Sequence, residues 1–340
     1  MTSLQGARVF VGLDYHQSGV QVCVMNEAGK SLLNTKLRDD AATIAAAVRR
    51  FGEQVEASIE CCCGAANLAK RLADLGWSVS LAHAGIVARM KKNPDKTDFG
   101  DAYILADLGR LKYLPKVWLA PDEIVELRRL VRFRRQLVDE RRDIKLRIRA
   151  LLRDERITLP QEQGKPWTKA WLRQLVEVTL QPISAWILQQ QLDRLRDLCA
   201  RVLQVEKRLQ TLVEHDAIVQ KLLTMPGVGL LTAATLRAEI AQFERFENGK
   251  QLARYCGLSP RNASSGEREA TSGLIKAGNP QLRAVLIETA HRLLWRDETW
   301  MKLGARLLKR GKPKSVVVAA VANRWVRWLY HRMQPEELAA

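Results

Sequence analysis

Short apolar runs, each ended by turn residues or by a polar side chain, follow one another through the first 120 residues. Their Val, Ile, Leu and Cys content predicts strands at residues 8–13, 20–25, 31–37, 55–62 and 77–82. Amphipathic helices are predicted at residues 41–51 and 65–75, and a further helix carries Asp98 and Asp101. A strand hairpin comes first and strands alternating with helices follow, which predicts a mixed α/β sheet.

A mixed sheet in this order is typical of RNase H-like domains, and four acidic residues lie at its strand ends and on one of its helices. Asp14 and Glu60 end two apolar runs, while Asp98 and Asp101 have the i,i+3 spacing of one helix face. Carboxylates that converge in this way can hold two divalent cations about 4 Å apart and so support phosphodiester cleavage. The four residues are therefore candidate ligands of Mg²⁺, with Mn²⁺ as the alternative ion.

The alternative interpretation treats each of these carboxylates as an ordinary surface residue. Asp95, beside Pro94, and Asp107, farther along the same predicted helix, are competing acidic neighbours but weaker choices. Spacing alone leaves both interpretations open.

The charge balance indicates a polyanionic partner. Lys and Arg number 55 against 37 Asp and Glu, which gives a formal net charge of +18 and a pI near 9.9. Such an excess favours nucleic acid first and an anionic membrane surface second. Residues 1–8 lack the plan of a signal peptide, and the apolar run 316–321 is far shorter than the ~20 residues of a spanning helix. We expect a soluble, cytoplasmic protein.

The six cysteines do not predict a zinc site. Cys61, Cys62 and Cys63 are consecutive and the other three stand alone, so the sequence contains no C-x-x-C pair. Buried thiols in a reducing cytosol are the better explanation.

A different pattern begins after Pro121. Asp122 is the predicted N-cap of a long helix with an apolar stripe, and a second long helix is predicted at residues 183–219. The pair suggests a coiled-coil-like hairpin or a dimerisation arm spanning 121–220. The first helix is rich in arginine, and we expect phosphate contacts from it, although a solvated helix face is the alternative. The candidate nucleic-acid contacts on it are Arg128, Arg132, Arg135 and Arg142.

Residues 221–340 are predicted to form an all-α domain. Its turn at residues 226–229, Pro-Gly-Val-Gly, is typical of a helix-hairpin-helix, but a plain interhelical turn has the same composition. Ser265 precedes Gly266 in a polar loop, and Lys276 and Arg283 follow it near the start of a predicted helix. A serine nucleophile with two phosphate clamps is one interpretation of this loop, and a flexible polar loop is the other. The histidines show no Ser-His-Asp pattern that would support a hydrolase.

Taken together, these motifs resemble the DEDD transposases of the IS110 family, including the IS1111 branch, also called bridge recombinases. The resemblance covers nearly the whole chain. Its N-terminal motifs are Gly12-Leu13-Asp14, Glu60 with Gly64, and Lys96-x-Asp98-x-x-Asp101-Ala102. Its C-terminal motifs are Pro226-Gly227-Val228-Gly229, Gly257-Leu258-x-Pro260, Ser265-Gly266 and Lys276-x-Gly278-Asn279-x-x-Leu282-Arg283. Two independent signatures in the same order are more specific than either alone.

The resemblance implies a RuvC-like domain at 1–120 whose Asp14, Glu60, Asp98 and Asp101 bind magnesium. It implies a domain at 221–340 whose Ser265 attacks a DNA phosphate and forms a phosphoserine link. The implied partners are DNA (element ends and target), a structured non-coding guide RNA and further copies of the chain, as a dimer or tetramer. The implied location is the bacterial or archaeal cytoplasm, in association with the nucleoid, and not a membrane.

The chain departs from the family pattern at two points. Ser264 precedes Ser265 and competes for the nucleophile role, and Ser272 stands where a glycine is common, with Gly273 one place later. Two other functions stay open: a RuvC-like structure-specific nuclease or junction resolvase that uses water, and a basic RNA-binding scaffold without catalysis.

Overall fold

The computed structural model describes residues 7–16, 18–90, 97–157, 166–262 and 271–334. The chain divides into two compact units, Met1–Ala120 and Pro121–Ala340. The further division of the second unit into an arm at 121–220 and a domain at 221–340 stays a prediction. Among the described residues, no helix combines the length and the apolar character needed to cross a membrane.

The first unit is built on a six-stranded sheet of order β3-β2-β1-β4-β5-β6. The strands are β1 (Arg8–His16), β2 (Gly19–Met25), β3 (Ser31–Leu37), β4 (Gln54–Glu60), β5 (Ser78–Ala82) and β6 (Lys116–Val117). β1, β2 and β3 pair antiparallel, β1 pairs parallel with β4 and β4 with β5, and β6 returns antiparallel. The predicted mixed α/β sheet is therefore confirmed, and the short edge strand β6 is an element that the sequence pattern did not indicate.

Helices cover both faces of this sheet. Since successive side chains of a strand point to opposite faces, each strand contributes to two separate cores. The helices of this unit are α1 (Ala41–Arg49), α2 (Ala65–Asp74), α3 (Ala84–Met90) and α4 (Asp98–Arg110). On one face, Val11 and Leu13 join Ile44 of α1 and Leu72 of α2 in one apolar core. On the other face, α4 packs over β1 and β2. The smaller apolar cluster buried between them consists of Phe10, Cys23, Met25, Ala102 and Ala106.

Gly12 permits the close approach of α4 to β1. A Cβ atom on Gly12 would overlap the carbonyl oxygen of Ala102 and lie 2.6 Å from the backbone nitrogen of Ala106. These are backbone atoms of a helix and cannot move aside as a flexible side chain can. The Gly at this position therefore sets the distance between helix and strand.

The second unit contains two long helices, α5 (Asp122–Asp154) and α7 (Pro182–Val213), that pack along each other. Contacts between them join Arg134 to Glu206, Glu140 to Arg194, and Glu155 to Ser184. The partners run in opposite order along the two helices, which makes the hairpin antiparallel. Apolar residues of both helices share one core with the rest of the unit, from Leu127 to Met333.

The remaining helices of the unit are α6 (Lys169–Glu177), α8 (Ala217–Leu223), α9 (Leu230–Ile240), α10 (Gly249–Tyr255), α11 (Pro280–Arg296), α12 (Glu298–Lys309) and α13 (Lys314–Arg332). Of these, α9 packs against both helices of the hairpin. A two-stranded antiparallel sheet, β7 (Pro260–Asn262) and β8 (Thr271–Leu274), stands between α10 and α11. The prediction of an all-α block was therefore incomplete, because strands this short carry little periodic signal.

The expectation of buried thiols is confirmed for Cys23 and Cys256 but was wrong for Cys61, Cys62 and Cys63, which are exposed.

Two predicted helix boundaries were wrong. Pro121 is the N-cap of α5 and Asp122 is its first residue. The second long helix ends at Val213 rather than at residue 219, because the carboxylate of Asp216 accepts a 3.0 Å bond from the Val219 N–H and starts a separate helix there.

We predict that Gly12→Ala lowers the free energy of unfolding by about 3 kcal/mol or more, at the upper end of overpacking costs, since backbone must move to admit the methyl group. Urea denaturation of the purified variant measures this. Gly85→Ala in α3 is the control, because its new methyl group would lie 3.5 Å from the nearest ring atom of His83. Equal midpoints for the two variants would contradict the close packing.

Candidate metal centre

Asp14 and Glu60 lie side by side at one end of the sheet. The parallel register pairs Gly12 with Ser58 and Leu13 with Ile59, so Asp14 and Glu60 are the next residues on two neighbouring strands. Leu13 and Ile59 point into the large core of the first unit. By the alternation of a strand, Asp14 and Glu60 belong to the opposite face, on which α4 packs.

The first turn of α4 carries the other two acids to the same end. Thr97 is the N-cap, and its hydroxyl accepts a 3.1 Å bond from the Gly100 N–H. Asp98 and Asp101 follow in the first turn, where the helix dipole favours negative charge. Since Ala102 lies over Gly12, the turn before it reaches the end of β1 that bears Asp14.

His16 joins this cluster, and sequence reasoning did not assign it. Its Nε2 atom lies 3.0 Å from Asp14 Oδ2 and 3.3 Å from Asp98 Oδ1. One ligand atom from each of Asp14, His16 and Asp98 lies within 4.8 Å of the others. The signal available in the sequence was the two-residue spacing of Asp14 and His16, which places both on one face of a strand.

The Asp14 carboxyl lies in a partly buried site beside His16 and two other acids. Burial raises the pKa of the Asp14 carboxyl above its usual value, and the hydrogen bond and charge of His16 act in the opposite direction. The nearby charges of Asp101 and Asp98 raise the pKa further, to a smaller extent than burial does. Oxygen donors that repel one another, with one imidazole nitrogen among them, fit a divalent cation such as Mg²⁺ or Mn²⁺.

Two amides hold the first turn of α4 in place. Gln21, which pairs with Asp14 across β1 and β2, donates a 2.7 Å bond from Nε2 to Asn34 Oδ1. Asn34 in turn donates from Nδ2 to the carbonyl oxygen of Phe99, at 3.0 Å. These two hydrogen bonds connect α4 at Phe99, one residue after Asp98, to β2 and β3. The amides were not identified from the sequence because their partners lie far away along the chain.

The candidate serine falls in a part of the chain for which there is no structural account. Ser264, Ser265 and Gly266 lie outside the described residues. The strands β7 and β8, on either side of 263–270, are described, and so are Lys276 and Arg283 beyond them. Arg283 donates a 2.8 Å bond from Nη1 to the carbonyl oxygen of Ile275.

The four arginines of α5 that are candidate nucleic-acid contacts differ in their surroundings. Arg128 and Arg132 face the buried Glu239, Arg135 pairs with Asp139, and Arg142 lies beside Asp139 and Asp143. The side chain of Arg128 is 22% exposed and that of Arg142 is 62% exposed. Each of the four therefore has a carboxylate oxygen within 3.7 Å.

Comparison with known proteins gives two family matches in chain order. A profile of IS110-type DEDD transposases, described as "Transposase", matches residues 11–156, and the profile "Transposase IS116/IS110/IS902 family" matches residues 219–304. The first match includes all four candidate acids, and the second includes Ser265, Lys276 and Arg283.

Individual transposases are similar over most of their length. A "Probable family 20 transposase" of Pseudomonas aeruginosa is 28% identical over 301 residues, covering 86% of this chain and 88% of the relative. The "Transposase for insertion sequence element IS1111A" of Coxiella burnetii is 26% identical over 324 residues, covering 94% and 88%. A transposase for element IS1533 of Leptospira borgpetersenii is 25% identical and covers 97% of both chains.

We predict that Asp98→Asn weakens Mn²⁺ binding about tenfold or more, since a first-turn carboxylate next to Asp14 is lost. The electron paramagnetic resonance signal of unbound Mn²⁺ measures this without any reaction. Asp107→Asn on the same helix is the matched control, because Asp107 pairs with Arg110 at 2.6 Å. Equal affinities in the two variants would show that the ion binds elsewhere.

Proposed function

The chain belongs to the IS110 family of DEDD transposases, enzymes that act on DNA in transposition, and on that premise we propose that it cuts and rejoins DNA through a covalent phosphoserine intermediate. The observation that supports this most directly is the meeting of Asp14, His16 and Asp98 at one end of the sheet. A cluster of this kind can hold a metal ion against a phosphate group, and a net charge of +18 favours binding of the nucleic-acid backbone.

The proposed metal ligands are Asp14, Glu60, Asp98 and Asp101, with His16 as a nitrogen donor among them. A bound Mg²⁺ or Mn²⁺ would neutralise charge that develops on the phosphate oxygens. The protein's own contribution is to hold the carboxylates in place before DNA arrives. Gly12 does so through the contact of α4 with β1, and Asn34 does so through its bond to the α4 backbone.

Ser265 is the proposed nucleophile. Its Oγ atom forms a bond to a DNA phosphorus and loses its proton, while the bond from that phosphorus to one deoxyribose oxygen breaks and the released oxygen takes up a proton. In the second step a deoxyribose hydroxyl of another strand attacks the phosphoserine, and Ser265 leaves with a proton. The number of phosphodiester bonds is unchanged, so rejoining needs no nucleotide energy source.

The proposed partners are a structured guide RNA, donor and target DNA, and further copies of this chain. With RNA as the guide, base pairing would choose the DNA sequence, and the basic side chains of the protein would need only to contact phosphates. We propose that the acids of one protomer act with Ser265 of another, in a dimer or tetramer. The exposed Arg142 and the flanking basic residues support contacts to a phosphate backbone.

We predict that Ser265→Ala abolishes the covalent protein–DNA complex, detected as a labelled band after denaturing electrophoresis, and also abolishes excision of a cognate element. Ser264→Ala is the control and should keep both. Asp14→Ala should abolish excision while RNA recovered with the purified protein stays bound. Cleavage by Ser265→Ala without a covalent band would instead favour a RuvC-like nuclease that uses water, and RNA binding without any cleavage would favour a scaffold.

We predict that Arg142→Gln lowers the slope of log affinity for nucleic acid against log salt by about 1, because one phosphate contact is lost, and leaves thermal stability unchanged. Arg132→Gln is expected to act differently and to cost about 2 kcal/mol or more of stability, since it breaks a bidentate pair with a buried carboxylate. Titrations at several salt concentrations and thermal melts separate the two effects. If Arg142→Gln kept the wild-type slope, Arg142 would not be a phosphate contact.

A further inference from the structure

Glu239 is a buried carboxylate that the proposed chemistry does not use. It lies near the end of α9, a helix whose neighbouring residues are almost all buried, and its side chain is 1% exposed. Removing a charge from water costs several kcal/mol unless partners replace the lost hydration. The partners of Glu239 therefore indicate what this charge does.

Two of these partners come from α5. Arg132 binds both carboxylate oxygens, with Nε 2.9 Å from Oε1 and Nη2 3.0 Å from Oε2. Arg128 lies 3.7 Å from Oε2 and donates a 3.1 Å bond to the carbonyl oxygen of Ala238. This forked geometry fixes the first third of α5 against the end of α9.

The third partner is Asn279, whose side-chain amide both donates and accepts hydrogen bonds. Its Nδ2 atom donates a 2.8 Å bond to Glu239 Oε2. Its Oδ1 atom caps α11 by accepting from the N–H groups of Gln281 and Leu282, at 2.9 and 3.2 Å. The bond to Glu239 therefore sets the position of the α11 N-terminus.

The segment before Asn279 forms the base of the β7–β8 hairpin. The Asn279 N–H donates to the Tyr255 carbonyl at 2.9 Å, and the Ile275 N–H donates to Ser259 at 3.0 Å. Gly278 lies against Gly257 so closely that a Cβ atom would overlap its backbone. Whatever fixes Asn279 therefore also fixes the base of this hairpin, whose two strands flank residues 263–270 in the sequence.

We propose that Glu239 is a positioning residue for the serine chemistry, acting through a clamp of Arg128, Arg132, Glu239 and Asn279. The clamp holds the base of the β7–β8 hairpin to α5 and α9, and so holds the chain that carries Ser265. This inference rests on the proposed function, because it assigns the clamp to the nucleophile given there. Glu239 itself contacts neither DNA nor metal in this proposal.

An exchange of the two side chains tests the clamp. Asn279→Asp keeps a good N-cap but faces Glu239 with a second carboxylate, and Glu239→Gln removes the charge that Arg132 binds. The double variant again joins one amide to one carboxylate. We expect each single variant to form the covalent complex with DNA at least about tenfold more slowly, with DNA affinity unchanged, and the double variant to recover to within about threefold of wild type.

Hydrogen exchange of peptides covering residues 271–283 gives a second readout. Exchange should speed up in Asn279→Asp and return towards wild type in the double variant, while peptides of α7 stay unchanged. Glu206→Gln is the matched control, since it breaks a carboxylate–arginine pair with Arg134 in the same unit. It should leave both readouts at wild type.

The possible failures are distinguishable. Wild-type rates of complex formation in Asn279→Asp, or a double variant no better than the worse single one, would overturn the positioning role. Unchanged exchange in Asn279→Asp would overturn the clamp itself. A wild-type protein that forms no covalent complex would contradict the proposed function instead, and the exchange result would still report on the contact.

Discussion

The contact between the α4 backbone and Gly12 of β1 is the interaction on which the candidate metal centre depends. A helix that packs directly on a strand, without a side chain between them, brings the acids of its first turn to the strand end. Asp14 and Asp98, 84 positions apart in the sequence, then share His16 as a neighbour. Burial raises the pKa of the Asp14 carboxyl there, and the charges of Asp101 and Asp98 add to the rise.

Much of the first unit could be predicted because its strands and helices have clear periods. The mixed sheet and the positions of Asp14 and Glu60 on its strands follow from short apolar runs and turns, although β1 continues past Asp14 to His16. His16 could not be assigned in the same way, since a histidine near an acid is common and only the packing of α4 shows what it faces. The role of Gln21 and Asn34 could not be predicted for a similar reason, because their hydrogen bonds connect β2, β3 and α4, which are separate elements of the chain.

In the second unit, composition alone could not identify the partners of the arginines. An arginine-rich helix suggests a solvated or nucleic-acid-binding face, yet Arg132 binds a buried carboxylate 107 positions away. Nothing in the local pattern of α9 marks Glu239 as the partner, since a single acid in a helix is usually exposed. The motif around Gly278 and Asn279 has a structural basis in the same clamp, through a close backbone contact and a helix cap.

The most direct test of the central claim, that the strand-end acids and the α4 acids form one metal site, is a crystal structure with Mn²⁺ that records the anomalous signal of the ion. The account predicts an anomalous peak bonded to carboxylate oxygens of both Asp14 and Asp98. A peak bonded to neither residue, in crystals where Mn²⁺ is bound at other acids, would contradict it.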